Sequence, residues 1–266
     1  AFAGEVSTFY THIVDSPLAR LHFIIRTRPT RRRQPDRHDL ERALVKAARS
    51  WDDDLEVEIL ERWGEEHGNR LARRYGRAFP AGYREAISAS EAVFDIEKME
   101  ALSPQRDMQI DIYRPPQAEP SEVRFKIFHL AQPLPLSDCM PILEHMGFRV
   151  MEERPYCIRA AGRKAVWQHD FGLLIRGGHD FDLDATKENF QEAFIRIWSG
   201  EVEDDGFNRL IVLAGLDWRE IVVLRAYCKY LRQAAIAFSQ AYMEDTLAAN
   251  PGIALLLIKL FRQRFD

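Results

Sequence analysis

The stretch LSDCMPILEHMGFRVMEERPY, residues 136–156, runs from an apolar helix through a glycine straight into a strand. Ser137 or Asp138 is placed to cap the helix, Pro141 falls in its first turn, and Gly147 suits a left-handed C-cap. Upstream, MQIDIY (108–113) and EVRFKIFHL (122–130) alternate apolar and polar residues with period two, and the Pro-rich RPPQAEPS (114–121) between them reads as a wide hairpin loop. Downstream, FRVMEERPYCIRA (148–160) and KAVWQHDFGLLIR (164–176) read as two strands across the turn AGR, and Asp184 as the cap of a helix over 185–198.

Strand, helix, strand, strand, helix is the order of a ferredoxin-like βαββαβ unit without its last strand. That strand lies antiparallel beside the first, and MQIDIY in hairpin with EVRFKIF fills the slot, which makes the unit circularly permuted in effect. The alternation puts Val123, Phe125, Ile127 and His129 under the two helices and turns Arg124, Lys126 and Phe128 away from them. On this reading Asp at 125 unfolds the domain and Asp at 126 is nearly silent.

Working outward, three zones emerge: 1–105, 106–200 and 201–266. The first opens with STFYTHIV (7–14) and LARLHFIIRT (18–27), two β-rich runs, followed by helices from about 38 to 75 and shorter ones to about 101. In DLERALVKAARSW (39–51), Leu40, Leu44, Ala47, Ala48 and Trp51 share one helical face. Strand, strand, helix is half of the same unit, so a partial domain with an edge open to self-association is expected. The third zone is all helix. Asp217 begins a capping box, and Ile221, Leu224, Cys228, Leu231 and Ala235 mark the buried face of the helix it starts. Ser239 and the pair Asn250–Pro251 start two more. The fold class is therefore α+β: a ferredoxin-like sheet with helices on one face, followed by an all-helical region.

Composition excludes more than it identifies. Over 266 residues, 46% are hydrophobic and 29% charged, with a net charge of −4, an ordinary globular balance and not that of a polyanion binder. Cys139, Cys157 and Cys228 lie far apart, which suits a reducing cytoplasm and no structural zinc site. The opening AFAGEVSTFY carries no initiator Met or secretory signal, and reads as the interior of a longer chain. No dinucleotide, Walker, HExxH or nucleophile-elbow motif occurs.

The remaining candidates are weaker. Asp180, Asp182 and Asp184 match positions 1, 3 and 5 of a calcium loop, but Ala185 and Gln191 stand where Gly and Glu are required, so a solvated turn and cap is the better reading. IRTRPTRRR (25–33) has five arginines and no interleaved aromatics, which favours a solvated loop over a nucleic-acid grip. Cys139 lies near His129 and His145 in sequence but lacks an oriented base. Arg225, Lys229 and Arg232, at i, i+4 and i+7, form a basic stripe whose functional reading is a docking face for an acidic surface.

Taken together, LPLSDCMPILEHMGFRVMEERPY, WQHDFGL, GEVEDDGFNRLIVLAGLDWREIVVLRAYCKYLRQ and FSQAYMEDTLAANPGIALLLIKLFRQRF resemble the central region of the large bacterial NAD-specific glutamate dehydrogenases. The resemblance implies tandem ACT-like regulatory domains and helical segments ahead of a catalytic module, in a cytoplasmic homo-oligomer. It implies a parent enzyme that oxidises L-glutamate to 2-oxoglutarate and ammonia with NAD, while the stretch itself carries no catalytic, cofactor-binding or metal-binding residue. Its partners would be other subunits or the catalytic domain, with an amino-acid effector as the alternative and nucleic acid a third, disfavoured one. Ligand-binding ACT domains have a Gly-containing loop between first strand and first helix; AQPLPLSD (131–138) has none, which weighs against an effector.

Overall fold

The computed structural model describes residues 4–12, 20–27, 36–39, 41, 50–178 and 182–265. The chain divides into two compact units, Ala1–Asp54 and Leu55–Asp266. In the first, β1 (Gly4–His12) pairs antiparallel with β2 (Arg20–Thr27), with Val6 opposite Ile25 and Phe9 opposite Phe23. The expected face of Leu40, Leu44, Ala47 and Ala48 and most of the arginine-rich loop lie outside the described residues.

Three helices follow: α1 (Trp51–Tyr75), interrupted at Gly64, all but its first four residues in the second unit, then α2 (Ala81–Ala86) and α3 (Ala89–Glu100). Ser88 starts α3 through a reciprocal capping box with Glu91. A four-stranded antiparallel sheet follows, built from β3 (Met108–Tyr113), β4 (Glu122–Leu130), β5 (Phe148–Ile158) and β6 (Val166–Ile175). Its order is β3-β4-β6-β5, and Ile110 lies opposite Ile127, so the first strand in sequence occupies the slot of a ferredoxin-like unit's last. The permuted topology and the hairpin register are those expected from the alternation.

Helices α4 (Leu136–His145) and α5 (Leu183–Trp198) cover one face of this sheet. Val123, Phe125 and Ile127 are buried there in one cluster with Leu143, Phe190 and Phe194. Phe125 meets Phe190 edge-on at 5.4 Å and Phe194 at 4.9 Å. Two caps differ from expectation. α4 begins after Pro135 with no side-chain cap, which places Pro141 inside the helix, and Asp182 rather than Asp184 caps α5 by accepting from Ala185 N.

The other face is buried as well. Phe128 is fully enclosed and Lys126 is 4% exposed. Lys126 thus points away from α4 and α5 but not into water: α1 to α3, from outside the ferredoxin-like unit, lie over it. Ala78 O accepts from Arg159 N, Arg74 O accepts from Ala161 N, and Tyr83 meets Tyr156 edge-on at 5.3 Å. Contrary to the expectation from alternation, Lys126→Asp would therefore place an unpaired carboxylate in a buried site and would not be silent.

After α5 come α6 (Leu210–Ala214), α7 (Trp218–Gln233), α8 (Gln240–Ala249) and α9 (Pro251–Phe265). Asp217 and Glu220 form the capping box, and Ser239 caps α8. Phe207, Leu210, Ile221, Leu224 and Ile258 extend the cluster under the sheet without a break. Leu231 and Ala235 leave the buried face: Leu231 is 40% exposed, and Ala235 lies beyond Gln233, where α7 ends.

With both faces buried, Phe125→Ala and Phe128→Ala should each cost about 3–5 kcal/mol in urea denaturation. A near-silent Phe128→Ala would mean that the outer face is open.

Candidate functional site

Three polar arrangements stand out among the described residues. The first lies between α3 and the outer face of the sheet. Lys126 Nζ sits 2.9 Å from both carboxylate oxygens of Asp95, itself 4% exposed. Tyr83 OH donates to Asp95 Oδ2 at 2.7 Å and Gln168 Nε2 donates to it at 3.0 Å. The ring of Tyr113 lies 5.2 Å from the ammonium. Burial raises the Asp95 pKa despite Lys126 and these donors, whereas for Lys126 the pull of Asp95 outweighs burial and raises it. Burial also pushes the Tyr113 phenol up to about 12.

Alongside, Arg124 joins Asp170 at 2.9 Å and the carboxylate of Glu152. Gly172 makes room for that pair: a Cβ there would stand 2.8 Å from Glu152 Cγ. At the far end of α3, Glu100 takes Arg74, Tyr75 and Arg163. Burial alone would raise its pKa, but the three hydrogen bonds prevail and lower it. The end of α1, the end of α3 and the β5–β6 turn meet on this one carboxylate.

The second arrangement is the loop from β4 to α4, where an ACT-type effector would be sought. It contains no glycine, yet Ala131 adopts the left-handed φ of 75°. Its N–H donates to Ala165 O at 2.8 Å. Leu134 N donates to His169 Nε2 at 3.1 Å, so the other ring nitrogen of the neutral imidazole carries the proton toward Glu153 Oε1, 2.8 Å away. His129 Nδ1 lies 2.8 Å from Gln132 O.

The third contains the expected docking stripe, and it requires a correction. Arg225 is 2% exposed. Its guanidinium grips Asp205 through two bonds, of 2.6 and 2.9 Å, and donates to Asn208 Oδ1 at 3.0 Å. It turns inward because the segment before α6 brings an acidic pocket to the helix surface. Lys229, half exposed, pairs with Glu203, and Arg232 is exposed. No continuous basic face remains; Arg225 is a structural clasp between α7 and the segment at 203–208.

The other candidates do not assemble. Burial pushes the Cys139 thiol up to about 12, so its place in the first turn of α4 does not make a thiolate. Asp180 lies outside the described residues, Asp182 is a helix cap, and no metal-ligating cluster occurs among the described residues. No described helix is long and apolar enough to cross a membrane. The Asp95 network escaped the sequence reading, although a signal existed. Asp95 sits within the stripe of Ala92, Ile96 and Met99, and Lys126 sits in an otherwise apolar strand. Two opposite charges on two buried faces are candidates for one another.

Comparison with known proteins gives four consecutive family matches. They are the ACT2 domain of glutamate dehydrogenase at residues 1–52, its helical motif 2 at 58–102, its ACT3 domain at 107–186 and its helical motif 3 at 202–266. Among curated proteins, the NAD-specific glutamate dehydrogenase of Halomonas elongata is 43% identical over 258 residues, 97% of this chain and 16% of the relative. That of Pseudomonas aeruginosa is 39% identical over 97% of this chain and 16% of its own length. That of Mycobacterium tuberculosis is 31% identical over 99% of this chain and 17% of its own. The chain thus spans about one-sixth of the length of the relatives it matches.

Lys126→Met alone should destabilise the second unit by about 3–5 kcal/mol by stranding the Asp95 carboxylate, and adding Asp95→Asn should recover most of that loss in urea denaturation. Additive costs would show that the pair is not coupled. Ala131→Gly should raise the melting temperature, with a gain of up to about 1 kcal/mol from relief of the left-handed backbone; calorimetry that shows a loss would reject strain at this position.

Proposed function

Because the chain belongs to the NAD-specific glutamate dehydrogenase family, in the stretch where the ACT2, helical motif 2, ACT3 and helical motif 3 models follow one another, we propose that it is a regulatory and scaffolding segment of such an enzyme. The whole protein would oxidise L-glutamate with NAD in the cytoplasm. This segment would hold subunits or domains in place rather than touch substrate.

The observation that carries this reading is the sheet at 108–175 buried on both faces, by helical motif 2 through Lys126–Asp95 and by α4 and α5, whose apolar core continues without a break into helical motif 3. A sheet so enclosed passes a displacement of one helical layer to the other, because close-packed interiors transmit strain. The 266 residues also contain no G-x-G-x-x-G sequence of the kind that cradles a pyrophosphate.

The effector alternative is weakened at the loop between β4 and α4. There the N–H groups of Ala131 and Leu134 already donate within the protein, so fewer donors remain for a carboxylate. Calorimetric titration separates the readings. The chain should give no saturable heat with NAD or with L-glutamate. Saturation by NAD would overturn the scaffolding assignment, and saturation by an amino acid alone would move the function to effector binding.

A further inference from the structure

Along the free edge of β3 a cleft of about 600 Å³ opens between α3 and α5, the size of a small-molecule site. Two carboxamides reach it. Gln109, on the outer face of the strand, is 8% exposed, and no hydrogen bond among the described residues engages its amide. Gln191, on α5, keeps Oε1 shut away from solvent with no partner. A buried polar group without a partner costs stability, and two of them, on different elements, converge on this one cavity.

The strand adds to them. Leu130 N donates to Asp107 O at 2.9 Å. The peptide groups of 107, 109 and 111 therefore turn toward β4, and those of Met108 and Ile110 turn out of the edge into the cleft. Beyond Ile110 the edge is closed: Lys98 from α3 and Lys187 from α5 both reach Asp111 Oδ1, at 3.7 and 2.8 Å. The open edge spans only 108–110, about 10 Å. A strand of a second copy or of the rest of the polypeptide, at about 17–20 Å, has no room to pair there, whereas a small planar ligand has.

Charge orients that ligand. Arg196 is already held by Glu192 and Glu201. Arg106 is exposed and paired with no carboxylate among the described residues, and Lys98 has only its 3.7 Å contact with Asp111. An unspent guanidinium and an ammonium suit a phosphate monoester. The carboxamides and outward peptide groups are neutral and offer donors next to acceptors, the complement of a nucleobase edge. A glutamine amide matches the adjacent donor and acceptor of a purine through two bonds, and a purine has two such edges, one for each carboxamide.

We propose that this cleft binds a purine nucleoside monophosphate, with the base between Gln109 and Gln191 and the phosphate at Arg106 and Lys98. This goes beyond the scaffolding reading and gives the sheet at 108–175 a ligand that is not an amino acid. NAD carries its phosphates only as diesters and lacks the terminal phosphate that the two cations would hold.

Calorimetric titration of the chain with adenosine and guanosine 5′-monophosphate tests it. One of the two should saturate at micromolar to submillimolar concentration. Arg106→Ala should weaken it at least tenfold. Gln109→Leu should also weaken it at least tenfold, yet leave the free chain no less stable to heat, because leucine removes an unpartnered buried amide. Saturation by neither nucleotide overturns the proposal. So does inorganic phosphate binding as tightly as the nucleotide, which leaves the base unread. Binding that survives Gln109→Leu unchanged overturns it by placing the nucleotide elsewhere. A free Gln109→Leu chain that melts earlier overturns it by giving that amide a partner inside the fold. The NAD and L-glutamate titrations are untouched by these results, so this inference fails separately from the functional assignment.

Discussion

Between β4 and α3 a lysine and an aspartate, each 4% exposed, face one another at 2.9 Å, and the outer half of the second unit is arranged around them. Either charge alone would be intolerable at that depth, since an unpaired buried ion costs several kcal/mol. A pair of apolar residues of the same volume would pack at least as stably. The ion pair adds register. A helix displaced by one residue moves about 1.5 Å along its axis, which would strand Lys126, pull Asp95 from Tyr83 and Gln168, and leave four polar groups short of partners. Of the ways α3 could lie on this sheet, the network penalises all but one.

This explains why helical motif 2 and the ACT3 sheet form one unit rather than two domains on a tether. The contact with helical motif 3 is of a different kind: an apolar continuity from Phe125 through Phe194 and Phe207 to Ile258. That layer is held by area, and the first by geometry. Arg225 and Asp205 give the apolar side one directional contact of its own.

The sheet was legible in the sequence because period-two alternation survives where one face meets water or where the two faces bury different chemistry. MQIDIY and EVRFKIF had the second cue, and their register followed. Helix ends were less legible. Side-chain caps at Asp217 and Ser239 could be read directly, but α4 starts at Leu136 with no capping side chain, so nothing marked the spot. The outer layer could not be read as a contact at all. Alternation shows which side of a strand Lys126 is on, not whether that side is covered. The cover comes from a helix 31 residues away in sequence. The inward turn of Arg225 was hidden for the same reason: its partners at 203–208 lie in a segment with no period of either kind.

The permuted strand order has a consequence for the order in which the domain forms. In an ordinary ferredoxin-like unit the closing strand is made last and must return across the whole domain to pair with the first, a late contact of long sequence separation and large loop-closure cost. Here that partnership is a local hairpin between β3 and β4, available before any helix of the unit exists. The sheet is complete once β6 is in place, and it asks nothing of the chain that follows α5. That later chain is free to leave the sheet altogether, which it does, as the helices α6 to α9 rather than as a fifth strand of the ladder.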